Sequence, residues 1–167
     1  EELPKISGYF EEPVFVWSHI MIPHYPLIFG PNGESVTPGQ SIITMNHPEY
    51  TSSGWDIKTQ FMQQTQFANK KSIEFIDKIL ENEKQSIIII QSDHGSGFDI
   101  NLQDPVDDDV FQRLSNLNAI YFPDEKHREV LTDDLTNVNT FRIVFNSYFG
   151  SDYEMLEDRT YWGLSVK

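Results

Sequence analysis

Cysteine is missing from the chain, which excludes disulfides, thiolate chemistry and cysteine metal sites. Positive charge is scarce: 12 lysines and arginines face 26 aspartates and glutamates, a formal net charge of -14. That balance disfavours a nucleic-acid backbone or an anionic membrane surface as a direct partner. An anionic substrate would need a cation supplied locally, by a metal or by clustered His, Lys and Arg. No apolar run approaches the roughly 18 residues that cross a bilayer, and the opening Glu-Glu-Leu-Pro is not a signal peptide. There is no phosphate-cradling glycine loop, no basic aromatic stripe, no short-range Ser-His-Asp motif and no internal repeat.

What is present is organised around Ser86 to Gly97, SIIIIQSDHGSG. Four consecutive isoleucines without alternation predict a strand buried on both faces of a largely parallel sheet. Such a strand delivers Asp93 and His94 at its carboxyl end, with Gly95 and Gly97 allowing a sharp turn, where open α/β sheets bind ligands. At 167 residues, 38% of them apolar, the chain is long enough for one domain with a real core.

Before this stretch, Val14 to Ile22, VFVWSHIMI, reads as a second strand, stopped by Pro23-His24-Tyr25-Pro26. Leu27 to Gly54 is a long loop with turn signals at Pro31-Asn32-Gly33 and Pro38-Gly39. Ile57, Phe61, Thr65, Ala68, Ser72, Phe75 or Ile76, and Ile79 form a stripe that predicts a helix over 55–82, capped by Ser52 or Ser53. Strand, helix and strand then make a right-handed βαβ crossover. Phe98 to Val110 reads as a mobile acidic loop, Leu117 to Phe122 as a third strand, and Glu125 to Leu131 as a short helix or irregular segment. Asn139 to Phe149 predicts a helix with Phe141, Val144, Phe145, Tyr148 and Phe149 on one face, ended by Gly150. The aromatic tail, Ser151 to Lys167, is expected to return as a hairpin or extended strand.

Asp93-His94 admits three readings from spacing alone. The carboxylate and imidazole can ligate one or two divalent ions, they can form an Asx-type turn with purely local hydrogen bonds, or His94 can act directly as acid or base. His24, between prolines, is either a turn residue or a group that holds an anionic oxygen or protonates a leaving group. His19, among aromatics, reads as a satisfied core or interface histidine, and His47 as an ordinary turn residue. Arg113 and Arg142 are placed to pair with the surplus carboxylates. The Asp104 to Asp109 cluster lacks the glycine and closing glutamate of a calcium loop and reads as a solvated acidic loop.

Taken together, Pro23 to Phe29, the helix with Gln60 and Asn69, Ile87 to Gly95, Leu117 to Phe122, and Val138 to Asn146 resemble a sulfatase-like family of the alkaline phosphatase superfamily. The branch is that of the phosphoethanolamine and lipoteichoic acid transferases. The resemblance runs in order over nearly the whole chain. It implies an α/β fold of three layers around a mixed, mostly parallel sheet, incomplete here because residues 1–167 match the carboxyl-terminal portion of such a catalytic domain. It further implies that Asp93 and His94 bind a divalent metal ion (zinc, manganese, calcium or magnesium) and that His24 contacts the phosphate or sulfate group. The expected substrate is a small-molecule or lipid-linked phosphate or sulfate ester, used for hydrolysis or transfer, with no nucleic-acid partner. In the family the nucleophile and the other acidic ligand lie upstream of the segment matching His24, so this portion alone is expected to be inactive. The full-length protein is expected to be membrane-anchored with an extracytoplasmic catalytic domain. A sheet edge left open by truncation is expected to permit pairing with a second copy. A non-catalytic sulfatase-like domain with a binding or structural role is the alternative.

Overall fold

The computed structural model describes residues 2–36, 56–97, 104–159 and 161, and it divides into two compact units, Glu1–Lys84 and Gln85–Lys167. In the first unit a 3-10 helix, Leu3–Tyr9, starts with Pro4 where the missing N–H is not needed. Asn82 Nδ2 donates to Pro4 O at 3.1 Å and ties this helix to the end of α1.

Helix α1 spans Ile57–Asn82, and its cap is Asp56, whose carboxylate accepts the Thr59 N–H at 3.2 Å. The Thr59 hydroxyl, and after it the Thr59 N–H, hold the Asp56 carboxyl below its usual range. The expected caps Ser52 and Ser53 lie outside the described residues. The apolar stripe is only half-buried, and the one fully buried residue of the helix is polar, Gln64. Residues 28–36 form a tight reversal: Val36 N–H donates to Ile28 O at 2.9 Å and Gly30 N–H to Glu34 O at 2.8 Å. Gly33 has φ of 86°, and a Cβ there would meet the Phe67 ring at 2.6 Å, so both conformation and space require glycine.

The three-layer, mostly parallel sheet expected from the sequence is not formed. The described residues contain one two-stranded sheet, β1 (Ile88–Gln91) against β2 (Asn118–Tyr121), and it is antiparallel, pairing Ile88 with Tyr121 and Gln91 with Asn118. An uninterrupted isoleucine run does not distinguish a strand buried on both faces from a half-buried one, and β1 is half-buried throughout. Val14 to Ile22 forms no strand. β-branched residues favour strands by packing on a pleated neighbour, and here Phe15 and Trp17 are 77% and 76% exposed. The predicted βαβ crossover therefore has no first strand among the described residues.

The second unit's core is Phe122, Ile143 and Val144, joined by Ile87, Ile89, Ile120, Leu131, Leu135 and Tyr148. Burying each large side chain contributes about 1.5–3 kcal/mol. Where an acidic loop was expected, Asp107–Leu114 is a helix, α2. Its three aspartates crowd the first turn and Arg113 sits in the last, both matching the helix dipole, and Asp109 accepts the Val106 N–H at 3.1 Å. The short α3, Glu125–Arg128, is capped by Asp124, which accepts the His127 N–H at 3.0 Å. The Tyr148 hydroxyl donates to Asp124 Oδ2 at 2.6 Å and, as the leading cause, pulls that carboxyl down to about 2.

Helix α4 spans Thr140–Tyr148 and ends at Gly150, whose φ of 65° supplies the left-handed stop. Its buried face is Thr140, Ile143 and Val144. Of the expected face, Val144 and Tyr148 pack into the core, whereas Phe141, Phe145 and Phe149 turn outward, with ring centroids 6.4 and 5.6 Å apart along the exposed side. The tail through residue 159 forms neither hairpin nor strand. Asparagine side chains take the place of a neighbouring strand: Asn139 pairs with both backbone groups of Leu156 at 2.7 and 2.9 Å, and Asn146 with both of Tyr153 at 2.9 and 2.8 Å.

Candidate functional site

Ser92, one residue beyond β1, is the fixed point from which the site is built. Its N–H donates to Leu117 O at 3.0 Å, and its Oγ accepts the Leu117 N–H at 2.8 Å. Its carbonyl accepts from Asn116 Nδ2 at 3.2 Å and Asn137 Nδ2 at 3.3 Å. These bonds prolong the ladder past its last paired residue and determine where the chain leaves the sheet.

The chain then turns on Asp93 and His94. Asp93 Oδ1 accepts the His94 N–H at 3.1 Å, and His94 Nδ1 lies 2.8 Å from Gly95 O. These are the bonds of the local-turn reading, and they occupy one atom of each side chain. The remaining atoms face each other: His94 Nε2 lies 3.4 Å from Asp93 Oδ2, with the two side chains 40% and 86% exposed.

The wall of the turn is the carboxyl end of α2. Gly95 N–H donates to Arg113 O at 2.7 Å. A Cβ on Gly95 would stand 2.2 Å from Gln112 O and 2.6 Å from Ser115 O, so only glycine passes there. Arg113 Nη1 reaches back to 2.8 Å from His94 Nδ1 and 3.3 Å from Gly95 O. Arg113 thus meets the imidazole instead of one of the surplus carboxylates.

His24 belongs to the first unit and stands in an exposed turn, not at a strand end. Its Nδ1 lies 2.9 Å from Tyr25 O, and its N–H donates to Met21 O at 2.7 Å. The turn is carried by Gln64, which is 0% exposed. Gln64 Oε1 accepts the N–H groups of Ile28 and Phe29 at 2.9 and 3.1 Å. Its Nε2 lies 3.2, 3.0 and 3.4 Å from the carbonyls of Pro23, His24 and Pro26. The Ile22–Pro23 and Tyr25–Pro26 peptides flanking this histidine are both cis.

The carboxylate oxygen and imidazole nitrogen of Asp93 and His94 are donors that zinc, manganese and related ions accept. They fit as two positions of a coordination shell. Among the described residues no group of three or more His, Cys, Asp or Glu converges, so the other ligands would come from elsewhere. His19 is exposed beside Trp17, with ring centroids 5.9 Å apart, and is not a core histidine. His47 lies outside the described residues. Arg142 Nη1 donates to Val138 O at 3.3 Å, just ahead of its own helix.

The supports of the two turns, Gln64 and the Ser92 cluster, belong to no motif, and Arg113, named for its charge, meets a different partner from the carboxylates expected. Gln64 carried a signal nonetheless, as a polar residue inside the helical stripe between Phe61 and Ala68. No helix among the described residues is long and apolar enough to cross a membrane. Comparisons with protein-family models, with curated proteins and with solved structures found no match to this chain.

Proposed function

We propose that this chain is part of a metal-dependent hydrolase or transferase acting on phosphate or sulfate esters. In this reading Asp93 and His94 supply two ligands to a divalent ion and His24 contacts the group being transferred. The observation that carries it is the exposed pair of Asp93 Oδ2 and His94 Nε2, 3.4 Å apart at the end of a strand fixed by Ser92. A divalent ion held there would polarise an ester oxygen as a Lewis acid.

The chain's own groups have defined parts. With Nδ1–H turned to Tyr25 O, the neutral ring of His24 offers Nε2 as an acceptor. Only the doubly protonated ring donates from Nε2 to an anionic oxygen, and in that form it can also pass a proton to a leaving group. The sequence resemblance supports the substrate class, a small-molecule or lipid-linked ester, and brings with it a membrane-anchored protein whose catalytic domain is extracytoplasmic. The test is ester hydrolysis by the intact gene product on matched phosphate and sulfate esters with and without divalent ions. Metal-dependent turnover that Asp93→Ala nearly abolishes is the expected result, and an active, metal-replete variant would overturn it.

A second reading is favoured by one specific observation, the Arg113 guanidinium against His94 Nδ1. A cation at this position suits a turn stabilised for its own sake, as in a sulfatase-like domain kept for binding or structure. An intact product that binds no divalent ion in the same experiment selects this reading.

A further inference from the structure

The ring nitrogen His94 Nδ1 has two neighbours that demand opposite things of it. Arg113 Nη1, at 2.8 Å, is only a donor, so Nδ1 must accept and the neutral ring carries its proton on Nε2. Gly95 O, also at 2.8 Å, is only an acceptor, so Nδ1 must carry the proton and Nε2 is left with a lone pair. One neutral imidazole cannot satisfy both. In the first form Nε2–H faces Asp93 Oδ2 and is closed to a cation. In the second, Nδ1–H donates to the backbone carbonyl and Nε2 is a competent ligand, the usual orientation of a metal-binding histidine.

We infer that Arg113 is a positioning residue that competes with a divalent cation for His94 by holding the ring in its Nε2–H form. The inference rests on the metal reading of Asp93 and His94. The exchange moves one proton from one ring nitrogen to the other and leaves the net charge unchanged. The backbone that carries the competing group is fixed beside the turn. Gly95 is packed against Gln112 O and Ser115 O and bonded to Arg113 O, which sets the α2 backbone beside the turn. Gln112 Nε2 adds a bond to Ser96 Oγ at 3.3 Å on the far side of the glycine. When a cation draws on Nε2, the ring gains its bond to Gly95 O and loses the one from Arg113.

The test reads the His94 ring nitrogens by 15N NMR in the metal-free intact gene product and then during titration with Zn2+ alone, in the native sequence, Arg113→Met and Arg113→Ala. The expected result is an Nε2–H ring in the native sequence and a shift of the ring toward the Nδ1–H form in both variants, where Asp93 Oδ2 remains the one acceptor facing Nε2. Zn2+ binding at His94 should tighten by about tenfold on loss of a charge-assisted hydrogen bond. An Nδ1–H ring in the native chain overturns the competition by itself, even if neither variant folds. Variants that keep the native tautomer, or that change tautomer without gaining Zn2+ affinity, overturn it too. Tautomers as expected but no Zn2+ at His94 in any form of the intact gene product would instead remove the metal reading, and the competition with it.

Discussion

The turn carrying His24 and the turn carrying Asp93 and His94 both bring an imidazole Nδ1 close to the following carbonyl, at 2.9 and 2.8 Å, yet they rest on different supports. The first hangs from one side chain: Gln64 alone meets two N–H groups and three carbonyls of the segment from Pro23 to Phe29. The second is shared among Ser92, Asn116, Asn137, the backbone of Leu117 and the last turn of α2. A single buried amide concentrates the stability of a turn in one residue. A distributed clamp lets any one member go at modest cost while the geometry of the exposed side chains survives.

The largest effect should therefore come from Gln64→Met, which keeps the volume of the side chain and removes every hydrogen bond. Leaving those part-buried backbone groups without the Gln64 amide costs about 2–4 kcal/mol. Denaturant unfolding of the first unit should show it, together with faster amide exchange at Ile28 and Phe29. A loss below about 1 kcal/mol would mean that the turn holds itself and the contrast is false. Next in size is Gly95→Ala, where the added methyl collides with Gln112 O. Overpacking of this kind costs about 1–3 kcal/mol. It should also displace α2, visible as altered exchange from Phe111 to Ser115.

Particular residues show what could be read from the sequence and what could not. The helix boundary at Gly150, the reversal at Pro31-Asn32-Gly33 and the β1 region were legible, because each depends on local conformation or on a run of one residue type. Sheet architecture was not. Pairing depends on which distant segment supplies the partner, and Val14 to Ile22, the strongest composition after the isoleucines, finds none among the described residues. The outward rotation of Phe141 and Phe145 has a similar cause: both faces of α4 are apolar, so periodicity alone could not choose between them. Asp93 and His94 were legible as a pair at a strand end. The guanidinium behind His94 was not, because Arg113 arrives through the α2 helix that a run of aspartates disguised as a loop.

A smaller effect is expected from Asn116→Ala. It removes one of the two side-chain donors to Ser92 O while Asn137 keeps the other, so the loss should be about 1 kcal/mol. Combining it with Asn137→Ala should cost more than the sum of the single changes, since the second loss leaves the carbonyl without either side-chain donor. Strict additivity in a double-mutant cycle would show that the two asparagines do not act on a shared point, and the description of Ser92 as a clamp would fail.

The smallest effect on stability belongs to the residue that matters most to the proposed chemistry. The Asp93 carboxylate is 86% exposed, accepts one hydrogen bond from the neighbouring N–H and faces His94 across 3.4 Å. An exposed carboxylate of this kind contributes little, so Asp93→Ala should move the unfolding free energy by no more than about 0.5 kcal/mol. The Ser92 clamp behind it should keep its amide protection. A side chain that the fold hardly uses then stands on a backbone held by bonds to Leu117, Asn116 and Asn137, as the proposed ligand role requires. If the substitution instead cost about 2 kcal/mol or more, Asp93 would be a structural cap for its turn, and the division between a clamped backbone and a free carboxylate would collapse.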